Sequence, residues 1–264
     1  KQFHEDIAAL GVLEPTVEPR ATEHIDEMKV LCETLVEKGH AYVAEGHVLF
    51  DVASMAEYGR LSNRSIDEME AGARVEVAPY KKGSMDFVLW KPSKVGEPGW
   101  PSPCGVEIDG RPGWHTECVV MSLDILGEGF DLHTGGLDLA FPHHENERAQ
   151  AVALGRTFAN HWMHNGFVEL EGEKMSKSLG NVKNLLDLTE QYDQRAYRLL
   201  VLQAHYRSPI EITDTTMTQA EASLDRLDSF ARRTADLGGT PSDSVLHQFR
   251  ATMDDDLNTA GAVD

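Results

Sequence analysis

The string Glu173-Lys174-Met175-Ser176-Lys177-Ser178-Leu179-Gly180-Asn181 is the most informative part of this chain. Lys174 and Lys177 flank small hydroxyl residues, and Gly172 and Gly180 bracket the loop. Glycine edges let a loop close over a substrate, and the lysine ammonium groups can then stabilise the charge that develops on a pyrophosphate leaving group. Loops rich in Lys and Ser are common and usually only solvated. An α/β sheet before the string makes phosphate chemistry the more specific interpretation.

The region before this loop alternates predicted helices and strands. Its pattern predicts a helix over Trp114–Leu126, a strand over Phe130–His133, a glycine turn at Thr134-Gly135-Gly136, a helix over Pro142–Leu154, and a strand with a loop over His161–Val168. Proline suits the first position of a helix, where the backbone needs no N–H donor. This order predicts an α/β fold with a parallel sheet, whose ligands lie at the carboxyl ends of the strands.

The flanking regions carry helical and hairpin patterns. Phe3, Ile7 and Leu10 are at helical spacing, and a second helix is predicted over residues 22–38 with Thr22 as N-cap and Gly39 as the C′ residue. Further predicted elements are strands at Ala41–Val43 and Val48–Asp51 joined as a hairpin at Glu45-Gly46, strands at Arg74–Val77 and Asp86–Trp90, a Pro- and Gly-rich loop over 91–112, and helices at 184–204 and 216–236.

Cys118, His143 and Glu147 form a candidate metal group. His143 and Glu147 are four residues apart, so on a helix their Cβ atoms lie ~6 Å apart on one face. A thiolate, an imidazole and a carboxylate are all ligands of zinc. Spacing alone leaves alternatives open, because a His-x-x-x-Glu pair is usually a surface ion pair and a single Cys is usually a buried apolar residue. His144 also competes with His143 for the ligand role.

Seven segments make the chain from about Glu18 to Asn258 resemble the cysteinyl-tRNA synthetases, a family of class I aminoacyl-tRNA synthetases. They are Glu18–Thr22, Gly110–His115, Phe141–Glu147, Trp162–Gly166, Lys174–Asn181, His205–Pro209 and Met253–Asp256. Taken together these segments are very specific. The resemblance implies part of a Rossmann-like class I catalytic domain with a β-containing connective insertion, followed by a helical region.

The same resemblance implies a zinc site for the amino acid. One zinc ion per subunit would be held by Cys118, His143 and Glu147, together with a further Cys that lies near the N-terminus in the family. Zinc separates cysteine from serine because it binds a thiolate well and a hydroxyl poorly, whereas an apolar pocket hardly distinguishes such analogues. Trp114 and His115 would line the amino-acid pocket, although Trp114 could instead be a core residue.

The resemblance also implies a nucleotide site and the remaining substrates. ATP with Mg²⁺ would react with L-cysteine to give cysteinyl-adenylate, and tRNA(Cys) would accept the cysteine. Lys174 and Lys177 are the implied catalytic residues, and Lys177 also binds the nucleotide. The other implied residues of the ATP and adenylate pocket are Gly136, Asp138, His164, Asn165 and Gly166.

The resemblance divides the chain into five parts. The first, 1–40, would be the end of the first Rossmann half, and 41–110 the connective insertion. The second Rossmann half, with the zinc and adenylate sites, would occupy 111–172. The lysine loop and a region that contacts the tRNA stem would occupy 173–213, and a helical tRNA-binding domain would begin at 214–264.

Composition limits the partners and the compartment. The net charge of −20, from 44 acidic and 24 basic residues, argues against loose, charge-driven binding to nucleic acid. A local basic patch is still open to tRNA, with Lys81, Lys82, Lys91, Lys94, Arg195, Arg198 and Arg207 as candidates. Three widely spaced cysteines favour a reducing compartment, so we expect a cytoplasmic monomer. No apolar run approaches the ~20 residues of a membrane span.

Two departures from the family keep other functions open. The sequence contains no His-Ile-Gly-His string, and Cys104 replaces a tryptophan that is usual in the family, in a longer link to Gly110. We therefore interpret the chain as part of a longer protein, inactive by itself. One alternative is the related ligase that joins cysteine to an amino-sugar inositol in mycothiol synthesis. The other is a non-catalytic paralogue that binds zinc, a nucleotide or a partner.

Overall fold

The computed structural model describes residues 2–65, 78–170, 173–174, 185–240 and 242–263. The chain forms two compact units, Val17–Met163 and the combination of Lys1–Thr16 with His164–Asp264. The five-part division that the family resemblance implies stays a prediction. None of the described helices combines the length and the apolar character that a bilayer span requires.

The first helix of the Val17–Met163 unit packs on the main core. Helix α1 (Gln2–Ala9) belongs to the other unit. Helix α2 (Ile25–Glu37) buries Met28, Leu31 and Leu35. These residues recur every three or four positions, so they share one face of the helix. The helix ends as predicted, with Gly39 at φ +80°, but its N-cap is His24. The prediction of Thr22 as N-cap was wrong, because a separate helical turn at Ala21–Glu23 takes up that residue.

A four-stranded antiparallel sheet follows α2. Its strands are β1 (Ala41–Ala44), β2 (His47–Phe50), β3 (Phe87–Pro92) and β4 (Gly110–Pro112), paired in that order. The predicted hairpin is confirmed, and its two turn residues, Glu45 and Gly46, both have positive φ, as a tight hairpin turn requires. The predicted strand at 74–77 lies outside the described residues.

The loop predicted over 91–112 was partly wrong. Strand β3 continues to Pro92, and Gly110–Pro112 form β4 against it. Gly110 makes this pairing feasible, because a Cβ there would lie 2.3 Å from Nε1 of Trp90. Trp90 Nε1 donates to Ser102 Oγ over 2.8 Å, which holds the intervening loop against the sheet.

The metal-ligand residues lie in the segment after this sheet. Helix α3 (Trp114–Leu126) has the predicted bounds, and strand β5 (Phe130–Gly136) pairs with β6 (Ala159–Asn165). The predicted glycine turn at 134–136 was wrong, because β5 continues through Gly136 and the chain turns at Leu137–Leu139. After the extended residue Phe141, helical backbone runs from Pro142 into α4 (Glu145–Leu154).

The other unit is mainly helical. It contains α1 (Gln2–Ala9), β7 (Val168–Leu170), β8 (Glu173–Lys174), α5 (Leu185–Gln191), α6 (Gln194–Leu202), β9 (Ile210–Glu211), α7 (Asp214–Thr234), α8 (Asp243–Asp254) and α9 (Thr259–Val263). Strand β7 is antiparallel to β8 and parallel to β9. The helix predicted over 184–204 is two helices, because the Asp193 side chain accepts from Arg195 N and caps the start of α6.

Candidate metal and substrate site

Helices α3 and α4 bring the predicted metal ligands together. Cys118 lies one turn into α3, while His143 and Glu147 are one turn apart where the chain enters α4. The two helices pack against each other, and one ligand atom from each of the three residues lies within 4.8 Å of the others. A thiol, an imidazole and a carboxylate therefore converge at one point inside the Val17–Met163 unit.

Glu147 is the buried centre of this group. His133 Nε2 donates to Glu147 Oε2 over 2.8 Å. Oε1 is buried and lies 2.9 Å from Nε2 of His143. Burial would raise the pKa of Glu147, but hydrogen bonds from His133 and His143 outweigh it and lower the pKa to about 2. The carboxylate is therefore charged, with one oxygen facing the other two candidate ligands.

Cys118 is half-buried beside this carboxylate. Burial first, and then the charge of Glu147 and a hydrogen bond to it, raise the pKa of the Cys118 thiol to about 12. The thiol must lose this proton to bind a metal ion. A sulfur, a nitrogen and a buried carboxylate oxygen match the ligand preferences of zinc, so Cys118, His143 and Glu147 fit that ion.

His144 points into a different group from His143. Its ring combines with His133 and Glu147, again with one ligand atom from each within 4.8 Å. His143 is the histidine that joins Cys118. The two neighbouring histidines thus belong to two different groups that share Glu147, and His143 is the one beside the thiol.

Trp114 and His115 form an aromatic wall next to His143. The Trp114 ring stacks on the His143 ring with centroids 4.0 Å apart, and the residue is 57% exposed, which excludes the core interpretation. Nδ1 of His115 and Nδ1 of His143 lie 2.6 Å apart, so one ring donates to the other. Burial and the neighbouring His143 lower the pKa of His115 to about 4, so this ring is neutral near pH 7. An amino acid on the metal group would contact these rings.

The predicted nucleotide residues lie in both units. Gly136 ends β5 in the unit of the metal group, where a Cβ would lie 2.5 Å from Oδ1 of the exposed Asp138. In the other unit, His164 and the exposed Asn165 end β6, and Gly166 N donates to Tyr206 O over 2.7 Å. A Cβ on Gly166 would lie 2.3 Å from Ser208 O, so only glycine fits there.

The two lysines of the loop are only partly covered by the described residues. Lys174 lies in β8, which pairs with β7. Lys177 lies outside the described residues. Their catalytic roles stay predictions.

Several buried polar residues at this site were missed by the sequence analysis. His133 ended a predicted strand but had no assigned role. Glu145, Asn146 and Gln150 on α4 are buried, as Glu147 is. One signal was available, because α4 opens with the unbroken polar run His143-His144-Glu145-Asn146-Glu147. A solvated helix start is the usual reason for such a run, and only the fold shows that this one is buried.

Comparison with known proteins defines first the fold and then the family. Methionyl-tRNA synthetase of Mycobacterium tuberculosis, solved with methionyl-adenylate, superposes with a TM-score of 0.65 at 15% identity, over 98% of this chain and 66% of that one. This likeness confirms the predicted α/β fold of the class I synthetases. The family described as "tRNA synthetases class I (C) catalytic domain" matches residues 1–222. The chain therefore belongs to that family.

Two curated relatives are much closer in sequence. The cysteine--tRNA ligase of Bradyrhizobium sp. (strain BTAi1) is 55% identical over 269 residues, covering 98% of this chain and 56% of the relative. That of Rhodospirillum rubrum is 56% identical over 263 residues, covering 99% of this chain and 56% of the relative. The chain thus spans little more than half the length of the curated relatives that it matches.

Proposed function

We propose that this chain is part of a cysteine--tRNA ligase. The reaction activates L-cysteine with ATP to cysteinyl-adenylate and transfers the cysteine to tRNA(Cys). The observation that carries the proposal is the convergence of Cys118, His143 and the buried Glu147 carboxylate, with one ligand atom from each within 4.8 Å of the others. The identity of about half of all positions with curated cysteine--tRNA ligases supports the substrate and the acceptor.

Zinc held by Cys118, His143 and Glu147 would supply the selection of a thiol over a hydroxyl, because zinc binds thiolate far better. The residues around it act directly on the amino acid. Trp114 presents an exposed ring beside His143, which covers one side of a small side chain and excludes water there. His115 is neutral and can donate or accept one hydrogen bond without adding charge.

Activation of the carboxylate requires positioning and charge stabilisation more than side-chain acid–base chemistry. We assign Lys174 and Lys177 to the phosphates of ATP, which binds with Mg²⁺. Gly136, Asp138, His164, Asn165 and Gly166 are assigned to the adenylate. The five-part division of the chain, its inactivity in isolation for want of a His-Ile-Gly-His string, its cytoplasmic location and a monomeric state belong to the same proposal.

Replacing the thiol ligand tests the zinc site. Cys118→Ser in the full-length protein should lose zinc and cysteine affinity together, by more than the ~10–100-fold cost of losing an outer partner of a metal ligand. Elemental analysis and a cysteine-dependent ATP–pyrophosphate exchange assay measure the two losses. The matched control is Cys104→Ser, which removes another half-buried thiol. Retention of both affinities in Cys118→Ser would place the metal elsewhere.

The acceptor requires its own experiment, because the amino-sugar ligase shares cysteine activation. Purified full-length protein is supplied with radiolabelled cysteine, ATP and either tRNA or the amino-sugar inositol. We expect label on tRNA. Label on the sugar would overturn the tRNA part of the proposal while leaving the zinc site intact.

A further inference from the structure

The start of α4 is held by a segment from the connective insertion. Glu145, Asn146 and Glu147 are buried in succession, and Glu145 and Asn146 lie between the two candidate ligands of this helix. Their side chains contact residues of Glu57–Ser62, which we call the 57–62 segment. The inference below rests on the proposed zinc site and extends it to residues that are not ligands.

Glu145 makes the deepest of these contacts. Its Oε2 accepts from Ser62 N over 2.8 Å and from Ser62 Oγ over 2.9 Å. Its Oε1 is buried and accepts no hydrogen bond within the described part of the chain. A buried carboxylate is costly unless it is well paired, and an apolar residue of similar size would fill the space at lower cost. Stability alone therefore does not account for a glutamate here.

Two further contacts fasten the same turn. Tyr58 OH donates to Asn146 Oδ1 over 2.5 Å, and Arg148 Nη2 lies 3.1 Å from Glu57 Oε2. Residues 145, 146 and 148 are thus each tied to the 57–62 segment. Because the ties involve three of the first four positions of α4, they fix both the position and the rotation of its first turn.

The network continues from α4 to the helix that carries the thiol. Gln150 Nε2 donates to Asn146 O, and Thr116 Oγ1 donates to Gln150 Oε1, each over 3.0 Å. Thr116 is two residues before Cys118 on α3. One chain of hydrogen bonds therefore runs from Tyr58 through Asn146 and Gln150 to Thr116, and joins both helices that supply candidate ligands.

We propose that Glu145 and Ser62 are positioning residues for the metal group. Glu145 lies two residues after His143 and two before Glu147, so anchoring its side chain sets the direction in which both ligands point. The 57–62 segment thereby adjusts the affinity and the geometry of the site without contacting the metal. Outer partners of metal ligands typically affect metal affinity by 10–100-fold.

The test measures metal binding rather than activity. Full-length Glu145→Ala is expected to bind zinc about 10-fold more weakly in competition with a chromophoric chelator, and to shift the absorption bands of the cobalt-substituted protein. Ser62→Ala keeps the backbone donor. It is expected to change the zinc affinity and the cobalt absorption bands in the same direction as Glu145→Ala, but by a smaller amount. Glu145→Gln should restore them, because its amide oxygen can accept both bonds from Ser62.

The control is Ser54→Ala in the 41–110 region. It removes a half-buried hydroxyl that bonds to the His40 ring and donates to the Asp51 carbonyl oxygen. It should leave zinc affinity and the cobalt spectrum unchanged. If Glu145→Ala does not fold, Ser62→Ala and its cobalt spectrum decide. Unchanged zinc affinity and cobalt spectra in the folded variants would overturn this inference alone. A wild-type protein that binds no zinc would overturn the proposed zinc site, and the inference with it.

Discussion

Burial is the largest single influence on the pKa values of three neighbouring side chains at the candidate metal site, Cys118, His115 and Glu147. It raises the pKa of Cys118 to about 12 and lowers that of His115 to about 4, so both side chains are neutral near pH 7. At Glu147 the hydrogen bonds from His133 and His143 outweigh burial, so its pKa falls to about 2. One buried negative charge thus lies close to two neutral side chains, an arrangement that suits a cation.

Lys177 is the residue on which we expect the chemical step to depend most. Lys177→Ala in the full-length protein should slow adenylate formation ~100-fold or more, comparable to losing one preorganised donor to a developing charge. Cysteine-dependent pyrophosphate exchange measures this rate. Lys94→Ala, which removes an exposed lysine, is the control in this assay without tRNA and should match the wild type. An unchanged exchange rate in Lys177→Ala would remove its role.

At the scale of elements, local sequence patterns predicted the helices well. They did not predict the strands that depend on pairing with distant parts of the chain. Helix α3 has the bounds that its sequence predicts, since its start at Gly113 and its end at Gly127 are local features. Strand β4 and the last residues of β5 depend on β3 and β6, which are distant in sequence. The glycines of Thr134–Gly136 indicated a turn, but pairing with β6 keeps them extended.

The same limit applies to the candidate site. The spacing of His143 and Glu147 within one helix indicated two of the three candidate ligands, and the family resemblance favoured Cys118 as the third. His133 reaches Glu147 from another element, and Ser62 reaches Glu145 across 83 residues. No local pattern encodes contacts of that range, so the support of the ligands could be found only in the fold.

Asp86 holds together parts of the β1–β4 sheet and the loops beside it, which offers a test of stability. This buried carboxylate accepts from Tyr42 OH over 2.6 Å, Gly83 N over 2.8 Å and Val52 N over 3.0 Å. Burial and Asp86 raise the pKa of Tyr42 to about 12, so the phenol remains a donor at ordinary pH. The same phenol oxygen accepts from Lys82 N over 2.7 Å. Tyr42 therefore links β1 to the segment before β3.

Tyr42→Phe should lower the free energy of unfolding by about 1–2 kcal/mol, because it leaves the Asp86 oxygen and the Lys82 N–H each without one partner. Urea unfolding followed by circular dichroism measures the change. Tyr80→Phe is the matched control, since the Tyr80 ring lies stacked on His47 at 4.2 Å and keeps that contact without its hydroxyl. Equal stability of Tyr42→Phe and wild type would mean that Asp86 is satisfied by its backbone donors.

At the scale of the whole molecule, the arginines of the predicted basic patch all have partners within the chain. Arg195 pairs with Asp193 and Asp228, and Arg207 pairs with Asp256. Arg198 donates to the carbonyl oxygens of Leu10 and Gly11. The arginines of the predicted basic patch are therefore engaged within the chain, and the lysines at 81, 82, 91 and 94 are the better candidates for contacts with tRNA phosphates.

The surplus of 44 acidic over 24 basic residues also predicts how salt affects stability. Exposed ion pairs such as Arg207–Asp256 contribute little to stability and weaken in salt. Repulsion among the surplus acids acts over the whole surface, and it is screened when the Debye length falls from ~30 Å at 0.01 M to ~10 Å at 0.1 M. Repulsion should dominate, so the unfolding temperature of this chain should rise with NaCl over this range. Calorimetry in NaCl and in KCl measures the trend, with an uncharged osmolyte at equal osmolality as control. A fall in the unfolding temperature would mean that the local ion pairs outweigh the net charge.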